Sequence, residues 1–287
     1  MLKKGDKIAL VAPSGCIQKN DLKNGIAFFK SLGLKPCVMP HAFETFYYAA
    51  GTPQNRAEDI NNAFKDKEIK AIFCIRGGAG SSQILDFLDY EAIKKNKKPV
   101  FGLSDSTALQ NALYTKTKNV SYTGFLPIYD LKEGQINEKL KKSLTDVIFG
   151  KKQEYKEFDV LKKGVMEGVV VGGCLSVFNL LCGTKYFPNL KNKILLIEDV
   201  GEKTYHIDLM LEQLKMQKGF NQIQGIIFGG FLNCNPSDET DGSVEDVIKN
   251  FALKINKPII YNFPYGHIKE RVLLPIGKKI KIKAGIK

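Results

Sequence analysis

The feature that most constrains this chain is a regular alternation, from residue 8 onward, of short β-branched runs with stretches of helical period. Strand patterns over 8–11, 35–39, 69–75, 99–103 and 120–123 are separated by helical patterns over 21–32, 55–64, 82–88 and 106–114. Parallel strands need long crossovers, and helices supply them, so this rhythm predicts a βαβ parallel sheet. Such a sheet gathers its ligands at the carboxyl ends of its strands. The rhythm resumes later, with strands over 165–171, 194–197, 225–231, 258–261 and 279–282 and helices over 175–181, 206–218 and 243–252. Between them the composition turns to Lys, Glu and Gln around one amphipathic pattern at 137–149. The expectation is an α/β protein with an N-terminal parallel-sheet domain over 1–130, a connecting segment over 131–163 and a C-terminal α/β domain over 164–287. Each domain is long enough to bury its own core.

Several segments sit where such a fold places chemistry. Gly102-Leu103-Ser104-Asp105-Ser106 runs from a buried strand into a helix, one residue away from the GxSxG elbow that exposes a nucleophile on a tight turn. On spacing alone, Ser104 or Asp105 reads more readily as a helix cap than as a nucleophile. The glycine-rich loop Arg76-Gly77-Gly78-Ala79-Gly80 also joins a strand to a helix, and its amides can approach an anion or an oxyanion closely. It lacks the spacing and the Lys of a nucleotide-binding loop. Glu198 and Asp199 end another buried strand, and His267 follows the strand over 258–261. Of the three histidines, His41 lies in a loop and His206 on the solvent side of a helix, which leaves His267 as the best general base. Cys174, again between a strand and a helix, is an alternative nucleophile or a buried structural thiol.

Composition excludes other classes. The formal net charge is +13, from 43 Lys and Arg against 30 Asp and Glu, which favours anionic substrates. The lysines come in short groups such as Lys94-Lys95 and Lys97-Lys98, without a basic arm, and read as a solvated face rather than a nucleic-acid site. The six cysteines form no CxxC pair and read as reduced thiols. No two histidines are close and no HExxH occurs, so no metal site is expected. No apolar run reaches the roughly 18 residues of a membrane span. The short apolar stretch over 8–13 does not make a signal-peptide core, so a cytoplasmic location without membrane insertion is expected.

Taken in order, these segments resemble the LD-carboxypeptidase family, which includes murein tetrapeptide carboxypeptidases and microcin-immunity peptidases. The resemblance starts at Lys7-Ile8-Ala9-Leu10-Val11-Ala12-Pro13-Ser14 and runs through the Arg76-Gly77-Gly78 loop, Gly102-Leu103-Ser104-Asp105 and Ile197-Glu198-Asp199. It closes at Gly266-His267 and Leu274-Pro275-Ile276-Gly277. It implies Ser104 as nucleophile, His267 as base and Glu198 as its orienting carboxylate, with the Gly78 and Asp105 amides as oxyanion hole. It further implies a site at the domain interface, no metal or organic cofactor, a cytoplasmic homodimer, and a murein tetrapeptide losing its terminal D-alanine. Arg76 is a candidate for gripping the substrate carboxylate by its charge and position. The family's loop reads Arg-Gly-Gly-Tyr-Gly, and here Ala79 replaces the Tyr. Two other readings stand beside this one. The microcin-immunity branch cleaves aminoacyl-nucleotide antibiotics and stacks the base on a Trp, which this sequence lacks, although its 18 Phe and 11 Tyr could substitute. A non-enzymatic binder of an anionic ligand is the other.

Overall fold

The computed structural model describes residues 2–238 and 240–285. The first sheet contains five parallel strands: β1 (Lys7–Val11), β2 (Lys35–Val38), β3 (Ile69–Cys74), β4 (Val100–Gly102) and β5 (Ser121–Thr123). Helices α1 (Lys23–Ser31), α2 (Pro53–Lys65), α3 (Tyr90–Lys95) and α4 (Ser106–Thr117) lie in the crossovers. Period-two alternation explains why the central strands β1 and β3 carry buried apolar side chains on both faces. Ile8, Leu10, Ala71 and Phe73 point to one core with Phe29, whereas Ala9, Val11, Ile72 and Cys74 point to the other with Ala57 and Leu109. Both faces are covered, as a parallel sheet requires.

After β5 come α5 (Pro127–Asp130), α6 (Glu138–Phe149) and β6 (Asp159–Lys162). The second half supplies β7 (Gly164–Cys174), α7 (Leu175–Asn179), β8 (Lys193–Val200), α8 (Thr204–Lys215), β9 (Gly225–Leu232) and α9 (Val244–Leu253). It ends with β10 (Ile259–Tyr261), β11 (Leu274–Ile276) and β12 (Lys279–Ala284). The sheet orders are β11-β5-β4-β3-β1-β2 and β12-β7-β8-β9-β10-β6. In the second sheet β7 to β10 are parallel, and β12 and β6 close the two edges antiparallel.

Two strands cross the sequence-level division. β6, from the connecting segment, joins the second sheet, and β11 returns from the far end of the chain to pair antiparallel with β5 in the first. The sequence pattern shows neither, because β11 has three residues including Pro275 and β6 is a partly exposed four-residue edge. The short helices α3 and α5 escape it for the same reason. The helical pattern over 82–88 folds as the tighter 3₁₀ turn Ser81–Phe87.

The two sheets meet at α4. This helix is buried on nearly every side, and its Leu109 and Ala112 share one apolar cluster with Val170, Val171 and Leu196 of the second sheet. Polar groups fix the register. Asn111 Nδ2 donates to the Gly172 carbonyl at 2.9 Å and its Oδ1 accepts the Gly172 amide at 3.0 Å, while Thr107 Oγ1 accepts the Cys174 amide at 3.1 Å. A buried ion pair makes a second tie: Arg271 binds Asp130 and also donates to the carbonyls of Gly124 at 2.8 Å and Ile268 at 2.6 Å. Removing one partner of such a pair strands the other charge in the core. Asp130→Asn is therefore expected to lower the unfolding free energy by about 3 kcal/mol in a denaturant titration. A loss within experimental error would show that the pair is dispensable.

Candidate active site

The nucleophile candidate sits at the junction of β4 and α4. Ser104 has φ 64°, in the left-handed region, at a local cost of about 1–3 kcal/mol for a residue with a side chain. Among the described residues, no side-chain hydrogen bond caps α4, so the capping reading fails. The Asp105 carboxylate faces away from the helix amides: it accepts Ser14 Oγ at 2.5 Å and the Ser81 amide at 2.8 Å, and Ser81 Oγ also donates to the Asp105 carbonyl. These buried bonds dock the glycine-rich loop against the serine turn. Gly77 is needed there, because a Cβ on it would lie 2.9 Å from Ser104 Cβ.

The loop itself is held by Arg56, a buried guanidinium that donates to the carbonyls of Pro13 at 2.6 Å, Gly80 at 2.9 Å and Gly51 at 3.2 Å, and to Gln83 Oε1 at 2.8 Å. Gly78 follows with φ 108°. Among the described residues, neither the Gly78 nor the Asp105 amide donates to a backbone carbonyl. Two backbone donors beside Ser104 are thus uncommitted.

Glu198 and His267 come from the carboxyl ends of the second sheet. Glu198 is fully buried near the end of β8, and its Oε2 accepts both His267 Nδ1 at 2.8 Å and the His267 amide at 3.1 Å. Burial pushes the Glu198 carboxyl above its ordinary range, and His267 opposes this through its hydrogen bond and charge. Among the described residues, Glu198 Oε1 is buried with no partner. A carboxylate on Nδ1 selects the imidazole tautomer with the proton there and leaves Nε2 to accept one.

A cleft of about 610 Å³ between the domains joins these groups, with Arg76, Gly78, Ser104, Tyr129, Lys132 and His267 in its walls. The structure therefore brings Ser104, His267 and Gly78 to one cavity, with Glu198 behind His267 and the Asp105 amide at the serine turn. Arg76 is exposed there, and its Nη1 donates to the Cys16 carbonyl. The other candidates lie elsewhere. His41 pairs with Asp59 at 2.8 Å and the exposed His206 with Glu202 at 3.2 Å. Cys174 is buried beside Asp199, outside the walls of this cleft, and burial pushes its thiol above the ordinary range. Asp199 is structural, accepting the Ser176 amide at 2.7 Å and the Val200 amide at 2.8 Å.

Residues 8–124 match the model of the LD-carboxypeptidase N-terminal domain, and residues 167–282 match that of the C-terminal domain. The chain belongs to the LD-carboxypeptidase family. A probable murein peptide carboxypeptidase from Bacillus subtilis is 31% identical to it over 97% of this chain and 89% of its own length. A murein tetrapeptide carboxypeptidase from Pseudomonas aeruginosa is 28% identical over 95% and 91%. The crystal structure of an MccF-like protein from Bacillus anthracis superposes with a TM-score of 0.86, covering 99% of this chain and 95% of that one at 28% identity. The chain is accordingly a peptidase with a two-domain α/β fold.

Sequence reasoning overlooked the groups that hold the site in shape: Arg56, Arg271, Asp130, Ser14 and Ser81. One signal marks two of them. The whole chain has three arginines, Arg56, Arg76 and Arg271, among 43 basic residues. Arginine is the cation suited to fixed, multidentate bonding, and all three cluster around this cleft or its supports. Gly266, with φ 114°, lets the His267 loop approach Glu198, since a Cβ on it would fall 2.7 Å from Glu198 Oε2. Gly266→Ala is expected to lower kcat by about 100-fold through displacement of His267. Near-normal turnover in steady-state assays would contradict that geometry.

Proposed function

We propose that this enzyme is a serine carboxypeptidase hydrolysing the LD bond before the terminal D-alanine of murein tetrapeptides, with Ser104, His267 and Glu198 as its catalytic relay. The observation that carries the reading is a strained serine sharing one cleft with a histidine whose Nδ1 is fixed at 2.8 Å by a buried glutamate. Ser104 Oγ attacks the scissile carbonyl as His267 Nε2 takes its proton, and Glu198 stabilises the imidazolium formed. The oxyanion lies between the Gly78 and Asp105 amides, each contributing about 3 kcal/mol to the transition state. Collapse expels D-alanine, whose amine receives the proton from His267. Water, deprotonated by His267, then cleaves the tripeptidyl ester and restores Ser104. No metal or organic cofactor enters these steps.

Substrate choice follows the relatives named as murein peptidases and the cations lining the cleft, Arg76 and Lys132, which suit a peptide with several carboxylates. The reading carries with it a cytoplasmic location and a homodimeric assembly. The resemblance to microcin-immunity peptidases, among them a microcin C7 self-immunity protein 27% identical to this chain, motivates the competing substrate, an aminoacyl-nucleotide. Steady-state assays with both substrates test the assignment. The tetrapeptide is expected to lose one alanine with kcat/KM at least about tenfold above that for the aminoacyl-nucleotide, and the reverse order would transfer the assignment to the second class.

A further inference from the structure

The catalytic reading leaves the high positive charge of the chain largely unused. Lysines that look scattered in sequence converge on a second cleft of about 910 Å³. One wall is the edge strand β12 with its preceding turn, carrying Lys278, Lys279, Lys281 and Lys283. The other is the connector after α6, carrying Lys151, Lys152 and Lys156, with Tyr122 and Pro275 also lining the space. Alternation along β12 builds the first wall, because Ile282 and Ala284 turn into the core while Lys279, Lys281 and Lys283 stay exposed. Tyr122 lies on β5, and none of these residues lines the catalytic cleft.

The charges are only partly balanced. Lys279 and Lys281 share Glu167 at 2.7 and 3.1 Å, Lys156 pairs with Glu154 at 2.7 Å, and Lys151 reaches Asp146 at 3.4 Å. Among the described residues, Lys152, Lys278 and Lys283 have no ion-pair partner, and Glu154 is the one carboxylate in the lining. Lysines on an edge strand also discourage edge pairing, but that role does not call for a facing wall of three more. The cleft contains no arginine, whereas the chain's three arginines make fixed bonds around the catalytic cleft. Flexible ammonium groups recognise charge density rather than one rigid shape. A concave trough admits a thread-like ligand more readily than a flat bilayer.

We infer that this cleft binds a linear phosphate polyanion, independently of the catalytic site. The two sources of that chemistry are inorganic polyphosphate and the backbone of a single-stranded nucleic acid. Fluorescence anisotropy with a labelled polyphosphate and with a labelled oligothymidylate, each titrated against salt, distinguishes them. Lys278→Gln/Lys281→Gln/Lys283→Gln is expected to weaken binding at least tenfold at about 50 mM salt and to flatten the log–log salt slope by about 2. Lys94→Gln/Lys191→Gln/Lys218→Gln, which removes the same charge from other exposed positions, is expected to change affinity less than about twofold. Far-ultraviolet circular dichroism verifies that both triple variants fold. Loss with either probe supports the inference, and the probe that wild type binds more tightly at equal salt identifies the source. Equal weakening by the two triple variants, no salt-dependent binding of either probe, or tighter binding to phosphatidylserine vesicles than to both probes would overturn it.

Discussion

Ser104→Ala is expected to reduce D-alanine release from a murein tetrapeptide by about 10⁴- to 10⁶-fold in kcat, with KM little changed. The substitution removes one hydroxyl at the cleft wall and no hydrogen bond that supports the serine turn, since the Asp105 and Arg56 contacts stay in place. Relieving the left-handed strain is not available to alanine either, so the elbow keeps its shape. A relay that works as a unit loses nearly everything with its first member. His267→Ala added to Ser104→Ala is therefore expected to cost less than about tenfold more. Additive losses would mean that the two residues act separately.

Glu198→Gln is expected to lower kcat by about 10⁴-fold while preserving the fold. The glutamate accepts two N–H groups of His267 on one oxygen, and an amide there offers a donor to a ring nitrogen that needs an acceptor. The imidazole is then turned or held in the wrong tautomer. The same substitution has a stability signature of defined sign. The native Glu198 carboxyl lies above its ordinary range, so from that range upward the unfolded chain releases a proton that the folded chain keeps. Stability from this group is fully present at lower pH and falls as pH rises toward the native value. Glutamine has no such proton, and the melting temperature of Glu198→Gln relative to wild type is expected to climb across that window. A constant difference between acid and neutral pH would contradict the burial argument.

Much of this molecule is legible in its sequence, and the exceptions have physical causes. Apolar runs such as the one over 71–75 mark strands buried on both faces, and the carboxyl ends of such strands and the turns that follow carry Glu198, Ser104 and His267. Those positions are visible because an α/β sheet exposes chemistry where its strands end. What local pattern does not show is pairing across the chain. β11 is three residues long with a proline, so nothing local announces that it completes the first sheet. Spacing near Ser104 leaves a helix cap open, and only φ and the Asp105 hydrogen bonds exclude it. The lysines of the second cleft lie in two segments more than a hundred residues apart, and their convergence is a property of the fold. Arg56 and Arg271 stand out only once arginine is counted apart from lysine.

The relay across the domain boundary is tested most directly by a murein tripeptide analogue that carries a fluorophosphonate in place of the scissile carbonyl. Its peptide portion directs it to the catalytic cleft, and phosphonylation reports an activated hydroxyl. Intact-protein mass spectrometry followed by peptide mapping is expected to find one adduct per chain, on Ser104. Labelling should slow sharply in His267→Ala. An adduct on any other residue, or a wild-type enzyme that resists the label while still releasing D-alanine, would contradict the assignment.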